Sequence, residues 1–90
     1  MRSVQVSVIV PVFNSELYIG RCLRSLLKQT LTEDNYEIIV INDCSTDNTK
    51  QVINPFVGDI KYFENSERLG LPATLNKGIK NSKGQFVVRV

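Results

Sequence analysis

The chain contains 90 residues, of which 42% are hydrophobic and 22% are charged, with five glycines and three prolines. This composition excludes disordered, collagen-like and low-complexity proteins, and the length suits one folded unit. Eleven Lys and Arg residues against nine Asp and Glu residues give a net charge of +2 without a basic block, which argues against a nucleic-acid partner. The sequence has no histidine, which excludes His-based zinc sites and Ser-His-Asp triads.

A buried strand is the first predicted element. Residues 4–12 are rich in β-branched side chains, which is typical of a central strand covered on both faces. A helix is predicted next, because apolar residues recur at i, i+3, i+4, i+7 and i+8 over residues 19–27. Asn14 or Ser15 is the predicted N-cap of this helix, and Thr30 is its predicted end.

A second buried strand is predicted at residues 36–41, where apolar β-branched side chains again dominate. A run of turn and cap residues starts directly after it, at Asn42. This run predicts a second helix over about residues 46–56. The predicted cap of the second helix is Ser45 or Asp47.

The third strand is predicted at residues 60–63, and Pro72 favours the first turn of a third helix because its missing N–H has no partner there. Gly78 inside this helix predicts close packing against the sheet, and Gly84 is expected just past the helix end. A fourth strand is predicted at residues 85–90. The predicted apolar face of the third helix consists of Leu71, Leu75 and Ile79.

Strands and helices therefore alternate along the whole chain. This order predicts a three-layer α/β fold, Rossmann-like, with a mostly parallel sheet, helices on both faces and right-handed crossovers. Pro11 and Asn14 interrupt the first apolar stretch too early for a signal peptide. No apolar run reaches the ~20 residues that cross a bilayer, so we expect a cytoplasmic protein with reduced thiols.

Polar side chains follow the first three predicted strands at their carboxyl ends. Open parallel sheets bind ligands at this edge, and the opposite edge carries no comparable polar set. We therefore expect a binding site there. The residues at these ends are Phe13, Asn14 and Ser15, then Asn42, Asp43, Cys44 and Ser45, then Asn65, Ser66, Glu67 and Arg68.

Asp43 is the sharpest candidate for nucleotide binding, because a carboxylate at the end of a buried strand can accept hydrogen bonds from a base or a ribose. An Asx turn explains the same residue equally well, and both interpretations stay open. Arg68 either pairs with a diphosphate through its guanidinium or is simply solvated. Asp47 is predicted to cap a helix rather than to bind a ligand.

Other phosphate-binding and nucleophilic signals are negative. No Gly-x-Gly-x-x-Gly motif follows the first strand and no Gly-Lys-Ser/Thr loop is present, which removes the main support for dinucleotide and P-loop sites. Cys22 lies on the apolar stripe and is predicted to be a core residue. Cys44 is predicted to be a small turn residue without the neighbours that activate a thiolate.

Two motifs together resemble the start of the family 2 glycosyltransferases. Residues 8–14 (VIVPVFN) resemble the family's strand ending in Pro-x-Tyr/Phe-Asn. Residues 39–47 (IVINDCSTD) resemble its strand ending in Asp-Asp-Gly-Ser-Thr-Asp. Further matches follow in the same order along the chain: Asn65 with Gly70, residues 76–79 (NKGI), and residues 84–86 (GQF).

This resemblance implies the N-terminal half of a GT-A fold with the strand order 3-2-1-4. It also implies transfer of a sugar from a nucleotide-diphosphate donor, most simply a UDP-sugar, to an acceptor hydroxyl on a saccharide or a lipid-linked molecule. Asp43 would hold the uracil or ribose edge. The residues that it places at the nucleotide are Pro11, Phe13, Asn14, Asp43 and Arg68.

The chain departs from the family's pattern at three positions. Asn42 stands in place of the first Asp of the pair, and Leu75 in place of an Arg. Cys44 stands in place of the glycine, so we expect a turn there without a positive φ.

The family's Asp-x-Asp metal motif is expected directly after the fourth strand, and Val90 is the last residue before that position. We therefore expect residues 1–90 to be the N-terminal nucleotide-sugar-binding portion of a glycosyltransferase domain, truncated before the metal motif. The ligands of Mn or Mg, the acceptor-binding half and every catalytic residue would then lie outside the chain, which alone would be inactive. The full-length protein would lie in the cytoplasm or at the inner face of the membrane.

An alternative interpretation is a non-catalytic α/β module that binds a nucleotide or regulates a partner. A receiver domain is disfavoured, because residues 13–14 (FN) and 64–65 (EN) occupy the places of its acidic pocket and its phosphorylated Asp.

The strand order also leaves an apolar strand, residues 86–90, on an unprotected edge. Such edges recruit other chains, so we expect self-association through this strand.

Overall fold

The computed structural model describes residues 4–30 and 35–90. Within them the predicted alternation of strands and helices is confirmed, and no helix is long and apolar enough to span a bilayer. The elements in chain order are β1 (Val6–Val12), α1 (Ile19–Thr30), β2 (Tyr36–Asn42), α2 (Thr49–Ile53), a 3₁₀ helix (Asn54–Asp59), β3 (Lys61–Glu64), α3 (Leu71–Lys80) and β4 (Phe86–Arg89).

The four strands form one parallel sheet in the order β3-β2-β1-β4, which confirms the predicted order. β1 and β2 pair along their whole length, from Val6 opposite Tyr36 to Val12 opposite Asn42. The two central strands therefore end at the same level. Because they are parallel, the loops that follow them lie side by side at the carboxyl edge of the sheet.

Apolar side chains fill both faces of the sheet, as the β-branched runs predicted. Ile9, Ile39 and Ile41 form a smaller cluster on one face, with Leu75 of α3 packed against it. Fully burying one such side chain stabilises the fold by about 1.5–3 kcal/mol. The larger cluster, on the α1 and α2 face, contains Val8, Val10, Val12, Ile19, Leu23, Ile38, Val40 and Ile53.

α1 is amphipathic as predicted, and Cys22 packs against the larger cluster, where burial raises the pKa of its thiol. The two predicted N-caps of α1 are wrong. Asn14 Oδ1 instead accepts a hydrogen bond from the Thr46 N–H (2.8 Å), and Ser15 Oγ donates to the Phe13 carbonyl (3.2 Å). In the segment that leads into α1, the Ser15 N–H donates to Thr49 Oγ1 (2.8 Å) and the Glu16 N–H to Asp47 Oδ2 (3.3 Å). The equal length of β1 and β2 places these acceptors beside the start of α1.

The second predicted helix is shorter than expected, because an α-helix over Thr49–Ile53 gives way to a 3₁₀ helix over Asn54–Asp59. Pro55 explains the change, since it lacks an N–H and its ring clashes with the carbonyl four residues earlier. The N-cap of this helix is Asn48 and not the predicted Ser45 or Asp47. Asp47 lies one residue earlier, and its Oδ1 accepts a hydrogen bond from the Thr49 N–H at 2.9 Å.

The buried face of α3 differs from the predicted one. Leu71 and Ile79 are 45% and 50% exposed, whereas Thr74 and Gly78 are buried. Gly78 is the reason: a Cβ there would lie 2.6 Å from Ile9 Cγ2. The helix therefore lies with Gly78 directly against the sheet, which confirms the close packing predicted for this residue.

Gly84 does not follow the end of α3 as predicted. The helix ends at Lys80, because Asn81 supplies its N–H and its side-chain amide to the Lys77 carbonyl. Gly84 instead lies against β1, where its N–H donates to Ser7 Oγ at 2.8 Å. A Cβ at Gly84 would lie 2.6 Å from the Ser7 backbone nitrogen, so this glycine permits the chain to enter β4.

Candidate functional site

The loops after β1, β2 and β3 meet at the carboxyl edge of the sheet. Backbone hydrogen bonds continue beyond the strands, from the Asp43 N–H to the Val12 carbonyl (2.8 Å) and from the Asn65 N–H to the Asn42 carbonyl (2.9 Å). These two bonds fix the first residue of each loop relative to the strand beside it. The edge is therefore a preformed platform rather than three independent loops.

A cavity of about 80 Å³ opens at this platform. Its lining contains one acid, one base and one hydroxyl side chain, and the other side chains are apolar or aromatic. Four of the five predicted site residues line the cavity, and Asn14 does not. The lining residues are Pro11, Val12, Phe13, Asp43, Arg68, Leu71 and Thr74.

The Asp43 carboxylate is 4% exposed and binds the loop between β3 and α3. Its Oδ1 accepts hydrogen bonds from the Leu69 N–H (2.8 Å) and from Asn65 Nδ2 (2.9 Å), and its Oδ2 accepts one from the Gly70 N–H (2.9 Å). These donors lie far along the chain, so the Asx-turn interpretation does not describe this side chain. The carboxylate closes one side of the cavity by holding the loop in place.

The pKa of Asp43 lies below its ordinary value despite the burial. Burial raises the pKa. The hydrogen bonds from Leu69, Asn65 and Gly70, together with the positive charge of Arg68, lower it by more than burial raises it. The carboxylate is therefore ionised at neutral pH. An ionised carboxylate accepts hydrogen bonds and donates none, so Asp43 can recognise N–H and O–H groups only.

Arg68 lies across the mouth of the cavity. Its guanidinium carbon is 3.5 Å from the centroid of the Phe13 ring, a cation–π contact. Its Nε is 3.7 Å from Asp43 Oδ2. The two contacts hold an otherwise exposed side chain over the aromatic wall.

Asn14 lies outside the cavity and joins the loop after β1 to the loop after β2. Its Oδ1 accepts a hydrogen bond from the Thr46 N–H (2.8 Å), and its own N–H donates to Ser45 Oγ (3.0 Å). Its φ is 49°, a left-handed conformation that asparagine tolerates better than most residues. The structure therefore places Asn14 as a link between the two loops.

Cys44 corrects an expectation from the sequence, because its φ is 57° and the expected turn had no positive φ. The two flanking residues explain the conformation. Asp43 faces the loop after β3, whereas Asn42 Oδ1 accepts a hydrogen bond from the Ser45 N–H at 3.1 Å on the other side. Cys44, between these two side chains, takes the left-handed conformation at the position where the family pattern has glycine.

Sequence reasoning missed two parts of the site. Leu71 and Thr74 line the cavity from the first turns of α3, and Pro72 already signalled that a helix starts there. Asn65 is 5% exposed and donates to Asp43. The sequence placed Asn65 at the correct edge but gave no sign that a polar loop residue is buried.

The described residues contain no group of three or more Cys, Asp and Glu side chains that could hold a metal ion. Asp43 is the acid of the cavity, and donors of its own chain occupy both of its oxygens. Mg²⁺ and Mn²⁺ prefer a set of several oxygen ligands, and the lining of this cavity offers a single carboxylate. This part of the chain therefore does not fit a metal centre.

Comparison with known proteins gives a consistent result. The sequence model of "Glycosyl transferase family 2" matches residues 7–90. The poly(ribitol-phosphate) beta-N-acetylglucosaminyltransferase TarS of Staphylococcus aureus is 38% identical over 87 residues, which are 93% of this chain and 15% of TarS. The poly(ribitol-phosphate) beta-glucosyltransferase of Bacillus spizizenii is 36% identical over 90 residues, 96% of this chain and 14% of the relative.

Solved structures show the same fold. S. aureus TarS 1-349 in complex with UDP superposes with a TM-score of 0.86 at 37% identity, over 96% of this chain and 26% of that one. The mannosyltransferase PcManGT of Pyrobaculum calidifontis, in complex with GDP-Man and Mn²⁺, gives 0.84 at 26% identity, over 97% and 27%. This chain thus spans about a quarter or less of these proteins.

The fold and the sequence agree on one assignment. The parallel sheet with the order 3-2-1-4 is shared with GT-A glycosyltransferases, which confirms the expected fold. The family match extends over nearly the whole chain, through the loops that form the cavity as well as the strands. The chain belongs to glycosyl transferase family 2.

Proposed function

We propose that this chain is the nucleotide-binding portion of a glycosyltransferase and holds the nucleoside of a nucleotide-diphosphate sugar donor. The observation that carries the proposal is the cavity in which Phe13, Asp43 and Arg68 meet at the carboxyl edge of the sheet. The longer enzyme would transfer the sugar to an acceptor hydroxyl on a saccharide or a lipid-linked molecule. Solved relatives in complex with UDP and with UDP-GlcNAc support this class of donor.

The chemistry of the cavity suits a nucleoside. The guanidinium of Arg68 covers one face of the Phe13 ring, and a planar base stacks well on a guanidinium as well as on an aromatic ring. A carboxylate has about four acceptor positions, and three are used by Leu69, Asn65 and Gly70. The remaining position, on Oδ2 of Asp43, suits a base N–H or a ribose O–H.

The size of the cavity indicates how much of the donor it takes. Its volume of about 80 Å³ is small beside the roughly 300–1,000 Å³ of pockets that enclose a drug-sized ligand. We therefore assign it to the base and the near edge of the ribose, with the diphosphate and sugar outside. The identity to TarS, whose structure holds UDP, favours uridine as the base.

We also propose a divalent metal, Mn or Mg, for the longer enzyme. Mn²⁺ is present in the solved structure of PcManGT, and a metal neutralises the charge of a diphosphate leaving group. The described residues do not fit the metal themselves. Their part is to bind and orient the nucleoside.

Titration of the chain with UDP, ADP and GDP, followed by NMR or calorimetry, tests the nucleotide proposal. We expect UDP to bind with a millimolar or lower Kd. Phe13→Ala and Asp43→Ala should each weaken binding at least about tenfold, or about 1.4 kcal/mol. Asp59→Ala, which removes an exposed acid in the 3₁₀ helix, is the matched control and should bind like the wild type.

Two results would overturn this proposal. The first is a folded wild-type chain that binds no diphosphate at millimolar concentration. The second is a Phe13→Ala variant that folds and binds UDP as well as the wild type. Asp43 also holds the loop after β3, so circular dichroism must show that Asp43→Ala is folded before its affinity is interpreted.

We propose, finally, that β4 mediates self-association. Its residues Phe86 and Val88 are exposed, and within the described chain β4 has a neighbouring strand on one side only. The N–H groups of Phe86 and Val90 donate to β1 and its flank. Those of Val87 and Arg89, by the alternation of a parallel ladder, point away from β1 and are available to a second strand.

A further inference from the structure

Asn65 is a buried amide at the junction of three elements. It directly follows β3, it is 5% exposed, and its N–H is bound to the Asn42 carbonyl at the end of β2. Its Nδ2 donates to Asp43 Oδ1 (2.9 Å) and to Thr74 Oγ1 of α3 (3.1 Å). Its Oδ1 accepts a hydrogen bond from Lys77 Nζ (3.0 Å).

Only an amide satisfies all three partners. Two donor hydrogens are needed on the side of Asp43 and Thr74, and one acceptor on the side of Lys77. A carboxylate at position 65 would put an anion against the Asp43 anion, and like charges at that distance repel strongly. An apolar side chain would leave buried polar partners without a bond, which costs about 1–3 kcal/mol for each group.

The partners of Asn65 form two walls of the cavity. Asp43 lines it from the end of β2 and Thr74 lines it from α3. A carboxylate can rotate about its terminal torsion, because that torsion has a broad energy profile. The bond from Asn65, together with the Leu69 N–H on the same oxygen, directs Oδ1 of Asp43 toward the loop. Oδ2 then stays on the side of Arg68, where the free acceptor position lies.

We propose that Asn65 is a positioning residue for nucleotide binding, which orients the Asp43 carboxylate and ties it to Thr74 across the cavity. It makes no contact with the nucleotide itself. This inference rests on the proposed function, because the Asp43 acceptor is what a base or ribose would contact. Its consequence is that nucleotide affinity depends on the hydrogen-bonding chemistry of residue 65 and not only on its size.

The test compares Asn65→Asp and Asn65→Ala with the wild type by UDP titration at pH 7.5 and pH 5. The charged groups around position 65 are Asp43, Arg68 and the amine of Lys77, with Glu64 as the preceding residue. At pH 7.5 the carboxylate introduced by Asn65→Asp is ionised and repels Asp43, and we expect affinity to fall at least tenfold. Lowering the pH to 5 increases the protonated fraction of the introduced carboxyl, which in that form donates an O–H to Asp43, so affinity relative to the wild type should rise.

Asn65→Ala should lose at least about fivefold at both pH values, since alanine provides no donor at either. Asn76→Asp is the matched control, because it makes the same change at an exposed position of α3 and should show no recovery at low pH. If neither Asn65 variant folds, Lys77→Met removes the amine that anchors the amide while leaving Asn65 intact. We expect about a threefold loss of UDP affinity from that variant.

The outcomes separate this inference from the proposed function. A wild-type chain that binds no UDP overturns the proposed function. A wild type that binds UDP, with Asn65→Asp equal to the wild type at pH 7.5 or unchanged in relative affinity between the two pH values, overturns the positioning role alone. If Lys77→Met is the variant that folds, wild-type affinity in that variant does the same.

Discussion

Two residues beside the cavity hold a left-handed backbone although neither is glycine. Asn14 has a φ of 49° and Cys44 a φ of 57°, and each lies in a loop that follows a central strand. Asparagine visits this region readily, whereas for most L-residues it costs roughly 1–2 kcal/mol. The Cys44 side chain compensates little of this cost, because the hydrogen bond that its thiol donates to the Ser66 carbonyl is long, at 3.8 Å.

Replacing Cys44 by glycine should stabilise the protein. The relief of the left-handed strain exceeds the extra conformational freedom that glycine gives the unfolded chain, and we expect a net gain of about 0.5–1 kcal/mol. Urea unfolding followed by circular dichroism measures it as a higher midpoint with an unchanged slope. Cys44→Ala keeps the strain and removes the thiol, so a gain in that variant as large as in the glycine variant would contradict this explanation.

The location of the site was predictable, but its internal contacts were not. Pro11 lies near the end of β1, Phe13 and Asp43 directly follow β1 and β2, and the geometry of such sheets brings those ends together. The partners of Asp43 are Leu69 and Gly70, in a loop whose path depends on how α3 packs. Periodicity and spacing contain no information on that path. The hydrogen bonds that tie this loop to Asp43 could therefore be seen only in the structure.

At the scale of elements, α3 shows how packing overrides an apolar pattern. The spacing of Leu71, Leu75 and Ile79 predicted a single buried stripe, yet Leu71 and Ile79 are exposed. Thr74 and Gly78 instead form the buried face of α3, because their small side chains let the helix approach the sheet closely. A pattern of apolar residues reports which faces are apolar but not how closely a helix can approach its neighbour.

Gly78→Ala should destabilise the protein although alanine is the better helix former. The added Cβ would lie 2.6 Å from Ile9 Cγ2 and 2.8 Å from Ile41 Cδ1, and overpacking of this kind costs about 1–3 kcal/mol. The gain in helix propensity is about 1 kcal/mol, so we expect a net loss of up to about 2 kcal/mol. Thermal and urea unfolding both measure it.

Gly58→Ala is the comparison for that substitution, because a Cβ at Gly58 meets nothing within 4 Å. The change there should be neutral or stabilising by up to about 1 kcal/mol, through the reduced entropy of the unfolded chain. Equal losses from Gly58→Ala and Gly78→Ala would show that the contact with Ile9 and Ile41 is not the cause.

For the molecule as a whole, the alternation of elements predicted the layers, and the family resemblance predicted the strand order. The places where bounds differ have local causes, such as Pro55 in the second helix and Asn81 at the end of α3. The order leaves β4 at one edge of the sheet and β3 at the other. These edges differ in character, since β3 begins with Lys61 and ends with Glu64 whereas β4 contains Phe86, Val87 and Val88.

The apolar edge leads to a prediction about the state of the chain in solution. Sedimentation velocity should show association that increases with concentration, because the outward backbone groups of β4 can pair with the same strand of a second copy. Val87→Lys places a charge on that edge, a common protection against pairing, and should weaken association at least about tenfold. Val57→Lys is the matched control: both valines are 44% exposed, and Val57 lies in the 3₁₀ helix, away from the sheet edge. A wild-type chain that stays monomeric at the highest attainable concentration, or a Val57→Lys variant that dissociates as readily, would show that β4 is not the interface.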